Sequence, residues 1–324
     1  MNDVIIFGTL FLFEISLTLG SNIQDRSSYP DGPQGPDFAK EDGAMKVDLL
    51  DGDIEKYWHV EVRPSGHVNN EVQAYTKDAV TKDGSTITIK ASKTGQQKPR
   101  WCNFLTSWMN QCKVVEIKSG RINSNGKWNS ANSDSTKKRG YLEVRAKFPA
   151  KTNGDTFKGA WPAVWMLGTG NGGHWPGEGE IDIMESVNGN PTIHMSLHST
   201  HHNKGSSQHP SGDPVRPNAD FSEDGAILGL EWNIYANKLD LTWWISYFDL
   251  GDQAWKSGHY TKSLQKGTDD DYEDFYNSFV NANGFYAIIN LAQGGDWPGC
   301  KKSSCLLNSG DQYVIVDSAK VYGV

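Results

Sequence analysis

The chain has 324 residues and a formal net charge of −8, with its Lys and Arg residues scattered along the sequence. A negative protein without a basic stripe would repel a polyanion, so we expect no nucleic-acid partner. The 34 Gly, 12 Trp and 12 Tyr, the many short Val/Ile/Thr runs and the lack of a sustained helical period favour one large all-β sandwich over two ordinary domains.

The N-terminus has the features of a secretory signal peptide. Residues 4–19 are largely apolar but include Glu14, and sixteen residues are too few for a comfortable membrane span. Small residues near Gly20 suit a cleavage site, although no Lys or Arg precedes the apolar core. We therefore predict a signal peptide over residues 1–20, an extracellular location, and no membrane segment once the signal is removed.

A polar segment follows the predicted signal. Residues 21–43 are rich in Gly and Pro and predict an extended lead-in before the folded part. Strand patterns start near Met45, so we assign residues 44–324 to a single domain. We expect this domain to be a monomer.

Four cysteines fall into two locally spaced pairs, Cys102 with Cys112 and Cys300 with Cys305. An even number suits disulfides in an exported protein, and local pairing is the simplest of the three connectivities. A four-cysteine zinc site would need ligand spacings of about two to four residues, which neither pair has. Disulfides are therefore the favoured interpretation.

Alternation of apolar and polar residues predicts a series of strands with one wet face. In "YLEVRAKF" (141–148), the face expected to meet the core carries Leu142, Val144, Ala146 and Phe148. The face expected to be in water carries Tyr141, Glu143, Arg145 and Lys147. "IHMSLHS" (193–199) repeats the pattern, with its histidines on the polar face.

Two irregular stretches, residues 199–220 and 266–279, predict long surface loops, the second with a helical turn. The first contains His201, His202 and His209, which raises the alternative of a metal site. Histidines in a loop rich in Ser, Gly and Pro are more often solvated than coordinated, and we favour that interpretation.

The stretch "GEIDIMES" (179–186) is the strongest chemical signal. Its acids Glu180, Asp182 and Glu185 stand at offsets zero, two and five. The alternation of Ile181 and Ile183 predicts a strand, in which residues two apart share a face. A β-bulge after Asp182 would restore the parity and bring Glu185 to the same face. The alternatives are an exposed acidic stripe or a metal site built from carboxylates.

Four tryptophans near these acids suggest carbohydrate chemistry, because indole faces pack against the C–H groups of a sugar ring. Cleavage of a glycosidic bond needs one carboxylic acid to protonate the leaving oxygen and a second carboxylate to attack or to activate water. Crowding of three acids raises at least one pKa, so both protonation states can coexist near neutral pH. Core packing is the alternative for each of Trp161, Trp165, Trp175 and Trp297.

The motif "GEIDIME" resembles the active-site strand of glycoside hydrolase family sixteen, in its laminarinase-like branch. Further blocks match that family in order from about residue 45 to the C-terminus: "NNEVQAYT", "DGSTITIKA", "SGRI", "RGYLEVRAKFP", "WPAVWML", "NLAQGGDWPG" and "VIVDSAKVYG". The resemblance implies a jelly-roll sandwich of two curved antiparallel sheets with substrate across the concave face. It implies endo-hydrolysis with retention, with Glu180 as nucleophile, Asp182 as its helper, Glu185 as general acid/base and His198 as a hydrogen-bonding partner.

The resemblance also implies binding residues. Asn70 matches a substrate-contacting Asn, Arg121 is a candidate for a sugar hydroxyl, and the four tryptophans match aromatic walls of the cleft. No cofactor is expected for catalysis, but Gly84 and Asp317 match the positions of a structural calcium site. An ordinary Asp at the end of a strand is the alternative for Asp317.

The sequence thus predicts a secreted endo-β-1,3-glucanase acting on laminarin-like β-glucan, with mixed β-1,3/1,4-glucan as a further substrate. Two alternatives stay open. One is a hydrolase of another β-linked polysaccharide such as agarose. The other is a glucan-recognition protein without activity, although such a protein would not need both Glu180 and Glu185.

Overall fold

Two β-sheets contain most of the ordered elements in the computed structural model. It describes residues 28–66, 68–97, 115–128, 138–153, 157–201, 214–300, 306–307 and 310–323. The predicted signal peptide, Cys102, Cys112, Cys305, His202 and His209 lie outside these residues, so the predictions about them stay predictions. None of the helices in the described ranges is long and apolar enough to cross a membrane.

The smaller sheet carries the acid motif. Within the described residues its six strands, numbered in chain order, lie in the spatial order β11 (His194–His198), β10 (Glu180–Glu185), β9 (Ala160–Leu167), β15 (Tyr286–Gln293), β7 (Arg121–Ser124) and β2 (Trp58–Val60). Every pair of neighbours is antiparallel. The motif strand β10 is therefore one position from an edge, between β9 and β11.

The larger sheet has ten strands among the described residues. Its main path runs β14 (Ala254–Gln265), β13 (Lys238–Asp249), β12 (Ala226–Ile234), β8 (Lys138–Lys147), β16 (Gln312–Gly323), β5 (Thr86–Gln97), β6 (Val115–Ser119) and β3 (Ala74–Tyr75). Off this path, β1 (Met45–Asp48) pairs with β16 and β4 (Val80–Asp83) pairs with β5. The pair β3–β6 is parallel, whereas the other pairs are antiparallel.

The helices among the described residues are short. The described α-helices are α1 (Ile54–Tyr57) and α2 (Tyr272–Tyr276), and α2 continues into a π-helical turn at Asn277–Asn281. This confirms the helical turn expected in the stretch 266–279. Short 3₁₀ turns lie at Asp37–Lys40, Lys77–Ala79 and Asn171–Gly173.

The core lies between the two sheets and follows the alternation in the sequence. Ile181, Ile183 and Met195 from the smaller sheet and Leu142 and Val144 from the larger are fully buried in one cluster. Burial of each such side chain contributes about 1.5–3 kcal/mol. The prediction of an all-β sandwich with two largely antiparallel sheets is confirmed.

The alternation predicted a solvent-exposed outer face for β8. The structure shows that part of this face is buried instead. Tyr141 and Glu143 are 0% and 2% exposed because residues 28–43 pack over them. The backbone N–H of Gln34 donates to Glu143 Oε2 at 2.7 Å, and Arg145 Nη1 donates to the carbonyl of Pro30 at 2.8 Å. The described part of the lead-in is thus a packed arm of the domain, which no periodicity within the arm could reveal.

The residues predicted to hold calcium, Gly84 and Asp317, both line one pocket beside this arm. Lys82 Nζ donates a hydrogen bond to the Gly84 carbonyl, and the Tyr29 hydroxyl donates to Asp317 Oδ2 at 3.1 Å. Burial raises the pKa of Asp317, which disfavours its charged form. Because calcium needs six to eight oxygen ligands and an ammonium group repels it, these residues as placed do not fit the ion.

Removal of calcium should therefore leave stability unchanged. A specific site at a hundredfold its Kd would add about 2.7 kcal/mol, a shift of several degrees in Tm. We expect the Tm measured by calorimetry to be the same in excess EDTA and in millimolar CaCl₂. A Tm that rises with calcium concentration, and does so less in an Asp317→Asn variant, would contradict the conclusion that Gly84 and Asp317 do not fit the ion.

Candidate active site

The acid motif lies on a bulged strand. On the β9 side, Asp182 pairs with Trp165 while Met184 pairs with Val164, so the register shifts between Asp182 and Met184. On the β11 side, the register shifts between Asp182 and Glu185. Ile183 and Met184 both face the core, and Glu185 regains the open face. The predicted bulge is confirmed.

Glu180, Asp182 and Glu185 therefore share the open face of the smaller sheet, and His198 on β11 joins them. His198 Nε2 is 3.2 Å from Asp182 Oδ2 and 3.8 Å from Glu180 Oε1. His198 pairs directly with Glu180 across the two strands. The structure thus brings together all four predicted catalytic residues. Ligand atoms of three of them, Glu180, Asp182 and His198, lie within 4.8 Å of one another, close enough to hold a metal ion.

Burial governs the electrostatics of the cluster. Asp182 is 2% exposed, and burial raises its pKa. Burial, followed by the charge of Asp182, raises the pKa of Glu180. Burial and the charge of Asp182 also raise the pKa of Glu185, to about 8. Protonation of part of the cluster near neutral pH follows, because three adjacent buried carboxylates do not all ionise.

The two glutamates share most of their charged neighbours. A positive charge on His198 would lower the pKa of both glutamates, and His198 makes its 3.8 Å contact with Glu180. The negative charge of Glu71, a fourth carboxylate, adds to the rise in the pKa of Glu185. The pKa of each glutamate is nevertheless raised to about 8, so these neighbours alone do not assign the two protonation states. A cluster that keeps part of its protons near neutral pH can supply one ionised and one protonated carboxylate, as a nucleophile and a general acid require.

Two of the predicted wall tryptophans contact the glutamates. Trp161 Nε1 on β9 donates to Glu185 Oε1 at 2.9 Å. Trp175 Nε1, in the loop before β10, donates to Glu180 Oε2 at 2.9 Å, although Trp175 is 52% exposed. Both indoles therefore reach the carboxylates as hydrogen-bond donors, which the sequence did not reveal.

Trp165 and Arg121 form a supported pair further along the face. Trp165 Nε1 donates to Asn290 Oδ1 at 2.7 Å, and the Arg121 guanidinium lies 4.7 Å from the Trp165 ring centre. Arg121 is 6% exposed and its Nε is 3.2 Å from Glu61 Oε2. The geometry favours support of Trp165 over the predicted contact of Arg121 with a sugar hydroxyl.

Asn70 is bonded to the loop that carries Trp297. Asn70 Nδ2 donates to Asp296 Oδ2 at 2.9 Å, and the Asp296 N–H donates to the carbonyl of Asn69 at 2.8 Å. Trp297 is 41% exposed and packs edge-to-face on Trp161, with ring centres 5.4 Å apart. Asn70 thus ties down the loop that presents Trp297.

Two residues that support the site were missed from the sequence. Glu71 is 8% exposed, and Gln73 Nε2 donates to its Oε2 at 2.6 Å. Its only sequence signal is its place beside Asn70 in "NNE". Trp243 on β13 donates its indole N–H to the carbonyl of Asp182 at 2.8 Å, which pins the bulge from the opposite sheet. Only the tertiary structure reveals that contact.

Comparison with known proteins gives relatives for this fold and site. Residues 152–222 match a family model described as XgeA-like, catalytic GH16 domain. The chain is 30% identical over 277 residues to a glucan endo-1,3-beta-glucosidase of Cryptopygus antarcticus, which covers 79% of this chain and 83% of that protein. It is 37% identical over 163 residues to a beta-1,3-glucan-binding protein of Penaeus monodon, which covers 43% of this chain and 41% of that protein.

A solved structure shows the same fold. The endo-1,3-beta-glucanase of Streptomyces sioyaensis aligns with a TM-score of 0.64 and 21% identity, over 92% of this chain and 99% of that one. The jelly-roll sandwich predicted from the sequence is thereby confirmed. The similarity to the Cryptopygus protein over most of both lengths, with the match to the GH16 catalytic-domain model, shows that this chain belongs to glycoside hydrolase family sixteen.

Proposed function

We propose that this protein is an endo-β-1,3-glucanase that hydrolyses laminarin-type glucans with retention of configuration. The bulge on β10 carries the proposal, because it puts Glu180 and Glu185 on one face with Asp182 between them. The relative named as a glucan endo-1,3-beta-glucosidase supports the substrate class. Mixed β-1,3/1,4-glucan is the second substrate to test.

In the first step, a carboxylate oxygen of Glu180 attacks the anomeric carbon, and the glycosidic C–O bond breaks. Glu185 gives its proton to the departing oxygen, so a glycosyl ester and a shortened glucan result. In the second step, Glu185 takes a proton from water as the water oxygen attacks the same carbon and releases Glu180. Two displacements at one carbon retain its configuration.

Asp182 and His198 support Glu180 in this scheme. When Asp182 is protonated, it places no second negative charge beside the nucleophile. His198 Nε2 lies 3.8 Å from Glu180 Oε1 and 3.2 Å from Asp182 Oδ2. Asp182 Oδ2 is buried without a hydrogen-bond partner among the described residues, and this His198 nitrogen lies close to it.

The glucan-binding alternative draws on the Penaeus relative. A binding protein needs the cleft and its tryptophans but gains nothing from four titratable groups gathered on one face. Removing carboxylates from water without a function would cost stability. The arrangement of Glu180, Asp182, Glu185 and His198 therefore favours the enzyme.

An agarose hydrolase is the other alternative. It is distinguished from a β-glucanase by comparing the products released from laminarin, lichenan and agarose.

Substitution of Glu180 tests catalysis. Glu180→Ala should lower laminarin hydrolysis by roughly 1,000-fold or more, which corresponds to about 4 kcal/mol of barrier. Azide added to this variant with an activated aryl β-glucoside oligomer should give the α-glycosyl azide, because azide enters from the vacated side. Glu185→Ala should give the β-azide. Wild-type rates in Glu180→Ala, or the reverse azide stereochemistry, would refute the assignment.

The pH profile tests the raised pKa of Glu185. Glu185 must be protonated to act as the acid, and its pKa is about 8. Activity should therefore fall as the pH rises through about 8, measured as kcat/KM on laminarin. An aryl substrate whose leaving group needs no proton should lose this alkaline fall in its first step. A fall already complete by pH 6 would contradict the raised pKa.

We also propose that the enzyme is secreted, on the basis of the apolar residues 4–19. Expression of residues 1–324 in a secreting host should release active protein into the medium. N-terminal sequencing should find a start near Ser21. Retention of the chain in cells with Met1 intact would count against secretion.

A further inference from the structure

Each catalytic glutamate has one oxygen held by an indole. Trp175 Nε1 donates to Glu180 Oε2, and Trp161 Nε1 donates to Glu185 Oε1, both at 2.9 Å. The other oxygens are Glu180 Oε1, on the side of His198, and Glu185 Oε2. The two carboxylates are thus held by matching donors at different oxygens.

Trp175 is exposed but its loop is tied down. Asn171 Nδ2 donates to the Gly177 carbonyl and to Asp274 Oδ1, the latter at 3.1 Å. The other oxygen of Asp274 accepts the N–H of Thr200 at 2.8 Å. The loop before β10 is therefore fastened to α2 and to the chain that follows β11. Because its loop is fixed, the exposed Trp175 indole can hold a hydrogen bond as well as stack against a sugar ring.

We propose that Trp175 is a positioning residue for Glu180: its N–H holds Oε2 and leaves Oε1 as the oxygen that attacks the sugar. By the same geometry, Trp161 holds Glu185 Oε1 and leaves Oε2 to carry the proton. This inference rests on the proposed glucanase function and deepens it. It assigns each oxygen of the two carboxylates a task.

The assignment is chemically balanced. Oε1 of Glu180 bonds to the anomeric carbon as the glycosidic bond breaks, and the leaving oxygen takes the proton from Glu185 Oε2. In the ester, Oε2 of Glu180 is the carbonyl oxygen and keeps the Trp175 N–H as its donor. Water then restores both groups. The N–H bond also favours the ionised form of Glu180, so its loss should raise the pKa of the nucleophile.

The Trp175→Phe variant tests this because it keeps an aromatic ring and removes the N–H. Hydrogen bonds to charged groups are worth enough to change a rate by about 10- to 100-fold. We expect kcat to fall by that amount with little change in KM. The acidic limb of the pH profile should move to higher pH. A role in sugar contact alone would instead raise KM and leave the acidic limb in place, which would overturn the proposal.

A second substrate separates the two indoles. A dinitrophenyl β-glycoside of a short laminari-oligosaccharide needs no acid for its first step. On this substrate the deficit of Trp175→Phe should persist, while the deficit of Trp161→Phe should shrink relative to laminarin. Equal deficits for the two variants on both substrates would refute the separate tasks.

Trp244→Phe is the matched control. Trp244 Nε1 donates to Glu231 Oε2 at 3.2 Å on the larger sheet, so the same chemical change is made away from the cleft. We expect its rates and pH profile to equal those of the wild type.

Asn171→Ala should loosen the loop and give a smaller version of the Trp175→Phe profile. Combined with Trp175→Phe, it should cause no further loss of rate. Additive losses in that double variant would contradict action through Trp175.

Failure of this inference differs from failure of the proposed function. A wild-type protein without activity on laminarin, lichenan and agarose would remove the glucanase proposal. An active wild type whose Trp175→Phe variant matches Trp244→Phe in kcat and pH profile would remove only the role of Trp175. The Tm of each variant, measured under the assay conditions, identifies any loss caused by unfolding.

Discussion

One extra residue in β10 is the constraint on which the site depends. Strand side chains alternate with a period of two, so Glu185 would lie in the core if the pairing of β9 with β10 were regular. The register shift after Asp182 places Ile183 and Met184 together in the core and returns Glu185 to the open face. The opposite sheet holds this irregular backbone through the Trp243 indole. Core packing and active-site geometry are therefore set by the same few residues.

Burial of several carboxylates in one cluster destabilises the folded state, but it also raises the pKa values on which the proposed acid catalysis depends. Burial disfavours each charged form, and neighbouring charges add to the effect. Indole donors and His198 stabilise negative charge at chosen atoms, while Glu71 opposes it at Glu185. Fixed donors need no reorientation during the reaction, which is the advantage of a preorganised site. The tryptophans thus combine sugar-facing surface with control of the acids.

The sequence predicted what depends on local pattern. Alternation gave the strands, and the offset of five between Glu180 and Glu185 required a bulge. Contacts between distant segments could not be read in this way. The arm over Glu143, the Tyr29 hydroxyl at Asp317, and the ion pair between Arg121 and Glu61 all join residues whose sequence neighbours carry no sign of these contacts. Trp161 and Trp175 lie beside the acids, and their N–H groups point to partners that only the fold defines.

The central claim is that the bulge makes Glu180 the attacking carboxylate. Trapping with a 2-deoxy-2-fluoro glycoside of a laminari-oligosaccharide, followed by peptide mass spectrometry, tests it most directly because fluorine slows release of the ester. We predict a single glycosyl label on Glu180 and none on Asp182. A label on Glu185, or hydrolysis of laminarin with inversion and no label, would contradict the account.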